Sequence, residues 1–107
     1  MKTIYAIDFL DDKFFTVEIP VMIENDFYYH LDYDRLTYEQ KCATEWNIAL
    51  DKDKEGTYNW TTDKDNFNKI KENFIKNRIS QLQEDVSYAN SILNTAVASA
   101  YELGVNR

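Results

Sequence analysis

The chain has 107 residues with a formal net charge of −7; 44% are hydrophobic and 15% aromatic, with two glycines, one proline, one cysteine and one histidine. That composition fits one domain with a modest core and excludes a disordered chain. The negative charge opposes direct nucleic-acid binding, because phosphate backbones are repelled, and no stretch approaches the ~20 apolar residues of a membrane span.

Cys42 has no intrachain partner for a disulfide, and Asp8 interrupts the first apolar run too early for a signal peptide. A reducing cytoplasm is the expected compartment. The charge is uneven. Residues 1–34 hold eight acids (Asp8, Asp11, Asp12, Glu18, Glu24, Asp26, Asp32, Asp34) against Lys2 and Lys13, whereas residues 63–107 hold six of each sign.

Residues 3–9 alternate, with Tyr5, Ile7 and Phe9 on one face and Ile4, Ala6 and Asp8 on the other. Residues 14–19 alternate again, with Phe15, Val17 and Ile19 together. Leu10-Asp11-Asp12-Lys13 between them reads as a turn, so a β-hairpin is predicted. Pro20 cannot donate a ladder hydrogen bond, and the strand should bend or end there. Val21-Met22-Ile23, the turn Glu24-Asn25-Asp26 and the alternation Phe27, Tyr29, Leu31 complete three or four antiparallel strands over residues 2–32.

Over residues 37–50, Thr37 and Gln40 fit a capping box, and Tyr38, Cys42, Trp46 and Ala49 share a helical face. A helix is predicted. The alternative is a hairpin in which Trp46, Ile48 and Leu50 pair with Thr57–Trp60. Residues 51–62 read as a charged loop. Residues 63–103 read as one long helix, capped by Thr62 or Asp63 and stopped by Gly104. Its stripe runs through Ile75, Ile79, Leu82, Val86, Ala89, Leu93, Ala96, Ala100 and Leu103 with four-three spacing, the seam of a coiled coil or helix pair. About 40 helical residues span about 60 Å at 1.5 Å each, more than a small sheet covers. A homo-oligomer is therefore expected, a dimer held by Leu82, Val86, Ala89, Leu93, Ala96 and Ala100. The alternative is a break near residues 87–94 that folds the helix back within the chain. The fold class expected is α+β.

Few residues carry chemistry. Asp51, Asp53 and Gly56 match part of an EF-hand calcium loop, but Thr62 replaces the bidentate twelfth-position glutamate. His30, Asp32 and Asp34 alternate, a pattern better read as the polar face of an edge strand than as a metal site. Cys42 and His30 lack a glycine-rich oxyanion turn. The helix-borne Lys64, Lys69, Lys71, Lys76 and Arg78 lie among core-spaced phenylalanines. No catalytic residue, metal or cofactor is expected.

What remains is a binding protein. Asp11, Asp12, Glu24, Asp26, Asp32 and Asp34, with Tyr28 and Tyr33 as aromatic anchors, would meet a basic protein partner. In size and acidity the chain resembles small acidic phage-encoded anti-defence proteins, anti-CRISPR proteins among them, with no shared motif. That resemblance implies an inhibitor of a nucleic-acid-binding defence protein, acting in the host cytoplasm. The alternative function is a homo-oligomeric structural or assembly protein organised by the long helix.

Overall fold

The computed structural model describes residues 2–84 and 90–104. The fold is α+β. Five antiparallel strands, β1 (Thr3–Leu10), β2 (Lys13–Glu24), β3 (Tyr28–Leu31), β4 (Ala49–Asp51) and β5 (Trp60–Thr61), form one sheet in the order β4-β3-β2-β1-β5. Three helices accompany it: α1 (Tyr38–Ala43), α2 (Lys64–Glu84) and α3 (Asn90–Glu102).

The β1–β2 hairpin forms as its alternation predicts, from Thr3↔Pro20 to Leu10↔Lys13. Asp11 and Asp12 close it with φ of 52° and 66°, the two left-handed residues of a tight hairpin turn that matches strand twist. β2 does not end at Pro20. It changes partner there, pairing with β1 up to Pro20 and with β3 from Val21, and the irregularity falls at Met22 as a bulge. An exposed proline tolerates this position, because a partner change leaves its missing N–H unneeded.

β1 buries both faces. Ile4 and Ala6 join Ile19, Val21, Tyr29, Leu31, Leu50 and Trp60 inside the curl of the sheet. Ile7, on the other face, joins Phe14, Phe74, Ile75, Ile79, Ala96 and Ala100 beneath α2 and α3. The strand's alternation is thus apolar on both sides rather than apolar against polar. Complete burial of a branched aliphatic side chain contributes about 1.5–3 kcal/mol, and Ile4, Ile7, Ile19 and Ile75 are each fully buried.

The sheet curls until its two ends nearly meet. Tyr29 of β3 packs edge-on against Trp60 of β5, ring centroids 5.9 Å apart. Glu55 bridges the same gap: it accepts the Tyr29 hydroxyl at 2.8 Å and, on the β5 side, the Thr61 hydroxyl at 3.1 Å and the Thr62 N–H at 2.7 Å. Asn59 donates to the carbonyls of Ile7 and Ala43, tying β1 to the end of α1.

Three expectations are corrected. The helix over 37–50 is only α1, six residues with the predicted Thr37–Gln40 capping box; Glu45 and Trp46 turn left-handed after it and the chain enters β4. The hairpin alternative also fails in pairing, for β4 joins β3 and β5 joins β1, at opposite edges. The region 51–62 is not only loop, since Trp60 and Thr61 form β5.

The third correction is the single helix over 63–103. α2 starts at an Asp63 cap, whose carboxylate accepts the N–H of Asp65 at 3.0 Å, and the long helix is not C-terminal, because α3 follows it. Phe74 and Ala96 belong to one core cluster. Twenty-two residues apart on a straight helix, they would stand about 33 Å from each other, so α3 folds back on α2. Gly104, at φ 81°, follows α3 as the expected stop. Ala96 and Ala100 are buried inside the chain. Leu82 packs against the same cluster. Val86 and Ala89 lie outside the described residues, as does the side chain of Leu93.

Candidate partner-binding surface

The sequence nominated eight residues for one surface, and the fold separates them. Asp11 and Asp12 form the β1–β2 tip, while Glu24, Asp26 and Tyr28 sit at the β2–β3 turn, at the other end of β2. Twelve strand residues at about 3.3 Å each put roughly 35 Å between these ends. Asp32, Tyr33 and Asp34 follow β3, with Tyr33 and Asp34 in a short 3-10 turn.

Several of these groups already have partners. Glu24 receives Lys2 at 3.3 Å and Lys52 more closely still. The Lys52 hydrogen bond holds its carboxyl below the usual range. Asp32 lies 3.4 Å from Arg35, and the Tyr33 ring lies under the Lys41 ammonium at 4.7 Å. Asn25 organises the β2–β3 turn by accepting the N–H groups of Phe27 and Tyr28, each at 2.8 Å. That arrangement leaves Phe27 exposed. Tyr28 is exposed too, its ring against His30. His30 lies on a strand between two neighbours, not on an edge. Among the described residues, Asp11 and Asp12 have no ion-pair partner, and both are exposed.

The loop that resembled half of a calcium site is explained by local bonding. Asp51 accepts the N–H of Asp53 at 2.9 Å and caps a 3-10 turn. Burial alone would raise the Glu55 carboxyl, but donation from Thr62, Tyr29 and Thr61 outweighs it and leaves it below the usual range. A cleft of about 420 Å³ opens between the β4 and β5 edges, with Ala43, Leu50 and Trp60 at its base. Asn59, also in its wall, already donates to two carbonyls.

A different group of residues comes together near the β1–β2 tip. Tyr38 and Trp46 stack edge to face with centroids 5.7 Å apart, and both are more than half exposed. The Tyr38 hydroxyl ionises above the usual tyrosine range, chiefly through a hydrogen bond to Cys42 and in smaller part through the negative charge of Asp11. Burial pushes the Asp8 carboxyl up, opposed by the Phe9 N–H and by Arg78, and Glu45 adds a further upward push. Asp11 thus acts on one of the two rings, while Glu45, which directly precedes Trp46, and Arg78 both act on Asp8. The helical-face reading did couple Tyr38 with Trp46, yet it placed Trp46 inside a helix and so hid its exposure. The turn after α1 carries no glycine to mark it.

No protein-family model, no curated protein and no solved structure matches this chain. Among the described residues, no helix is long and apolar enough to cross a membrane.

Proposed function

We propose that this is a protein-binding, inhibitory protein that presents carboxylates and tyrosines to a basic, nucleic-acid-handling partner, in the manner of the small acidic phage anti-defence proteins it resembles. It would act in a reducing cytoplasm, without cofactor, catalysis or direct contact with nucleic acid. The observation that supports this reading is the Asp11–Asp12 tip. Both residues hold left-handed backbone that glycine or asparagine occupies more readily, both are exposed, and neither is neutralised by a described cation. Two uncompensated charges on a short, rigid turn attract a basic surface and speed its approach.

The homo-oligomeric alternative has less support. Two of its six seam residues, Ala96 and Ala100, pack inside the chain.

The test is capture of a partner from host lysate across a salt series, with wild type beside the double variant Asp11→Asn/Asp12→Asn. A specific basic partner, retained at low salt and lost in the variant, is the expected result. If capture is equal for both proteins, the tip is not the contact; if no partner is retained at any salt, the binding reading fails.

A further inference from the structure

We propose that the exposed Tyr38–Trp46 ring pair is the docking point for an arginine or lysine side chain of that basic partner, with Asp11 and Glu45 flanking it. The inference rests on the binding reading above and moves its centre from the scattered N-terminal acids to one composite surface.

The first support is the exposure of the rings. Tyr38 is 62% and Trp46 51% exposed, although both are large apolar groups in a chain whose other tryptophan, Trp60, is buried. Each ring has already found a neighbour in the other, yet the pair as a whole remains open. Edge-to-face stacking fixes both rings relative to each other, so little side-chain entropy remains to be lost when a ligand arrives.

The second support is charge. An aromatic face attracts cations through its quadrupole, and tryptophan most strongly. Within the chain the cations nearest in sequence are engaged elsewhere: Arg35 pairs with Asp32, Lys41 lies over Tyr33 and Lys52 pairs with Glu24. The negative charge of Asp11 acts on the Tyr38 hydroxyl, and Glu45 directly precedes Trp46 in the same turn; Arg78, the cation that acts with Glu45 on Asp8, lies over Phe9 and Phe74. An arginine fits best, since its guanidinium stacks flat on a ring while its edge donates to a carboxylate.

The third support is the backbone. The non-glycine residues with positive φ among the described residues are Asp11, Asp12, Glu45 and Trp46. They belong to the two turns that bring the carboxylates and the indole to this surface. Local strain of this kind persists where the surrounding structure holds it, and it concentrates at binding sites.

An octa-arginine peptide is the probe. It is titrated into the full-length protein at low salt and read by tryptophan fluorescence and calorimetry. Wild type should bind, and Trp46→Ala should weaken binding about tenfold. Tyr38→Ala, which leaves the left-handed turn intact, should act in the same direction, and Trp46→Phe should recover most of the affinity. Asp11→Asn should weaken binding, while Asp26→Asn at the opposite end of β2 should leave it unchanged. If every acid replacement, Asp26→Asn included, weakens binding equally and the ring variants do nothing, binding is diffuse attraction. The docking point is then overturned while the wider binding reading stands. If the peptide fails to bind even at low salt, both fall. A sedimentation mass that drops in Trp46→Ala would make the surface a contact between copies and overturn the assignment to a basic partner.

Discussion

The main-chain N–H of Phe14 donates to the Ser99 hydroxyl at 3.0 Å in a fully buried setting, joining the second strand to the last helix across 85 residues of sequence. Phe14 is the second residue of β2, just after the hairpin turn, where its N–H faces away from β1. Ser99, whose hydroxyl in turn donates to the Ala96 carbonyl at 2.9 Å, gives that N–H a place to go. The bond fixes α3 over the outer face of the hairpin and explains why a serine stands in an otherwise small and apolar helix face.

Replacing Ser99 by Ala should therefore destabilise the fold by about 1–2 kcal/mol, because a buried N–H loses its acceptor. Ala96→Leu should cost about 1–3 kcal/mol by overpacking a position that is fully buried. Urea denaturation measures both, and light scattering on the same samples should show no change in mass. A mass that falls in either variant would mean that α3 packs between copies rather than on its own chain.

The strands were legible because period-two alternation and turn residues are local signals. The Thr37–Gln40 box was legible for the same reason. The fold-back of α3 was not, because a four-three stripe records only that a helix meets another helix. Ala96 and Ala100 satisfy that rule equally well in one cluster with Phe74, Ile75 and Ile79 of α2 in their own chain. No glycine or proline separates the two helices. The short strand β5 was hidden for another reason. Two residues, Trp60 and Thr61, carry no periodicity, and their pairing with Tyr5 and Ala6 follows from the curl of the whole sheet. The acids at the candidate surface were visible as residue types. Their neutralisation was not, since Glu24 meets Lys2 and Lys52 only after the sheet brings those distant segments together.

Glu55 gives the second prediction. Its carboxylate accepts from Tyr29 on one side of the gap in the sheet and from Thr61 and Thr62 on the other. In Glu55→Gln one oxygen becomes an amide that cannot accept, so part of this set is lost, at a cost of about 1–3 kcal/mol near neutral pH. The sign with pH follows from the direction of the shift. The folded carboxyl lies below its ordinary value of 4.5, so the folded state favours the ionised form. Its stabilisation is complete above the unfolded value and is lost as pH falls through the lower folded value. Thermal melts from pH 7 to pH 3 should show the gap between wild type and Glu55→Gln closing in acid. A gap that widens in acid would contradict the assigned bonding.

The last prediction concerns the left-handed turns, where stability and binding should pull in opposite directions. Glu45 follows the end of α1 at φ 55°, and its N–H donates to Cys42 while that of Trp46 donates to Lys41. This is a helix C-terminus of the kind that glycine usually closes, because a Cβ in left-handed backbone crowds the following carbonyl. Glu45→Gly should stabilise the fold by about 0.5–1 kcal/mol, the relief of that crowding exceeding the greater freedom glycine gives the unfolded chain. Asp12→Gly should gain less, because aspartate tolerates the left-handed region better than glutamate does. It would still convert the hairpin turn to Asp-Gly, a favoured pair for its type. Both substitutions delete a carboxylate. If these acids are retained for binding, each variant melts higher than wild type and holds octa-arginine more weakly. If both variants gain stability and bind the peptide as well as wild type, the acids at these turns do not serve recognition. If Glu45→Gly loses stability, its side chain supports the fold through a contact that outweighs the strain.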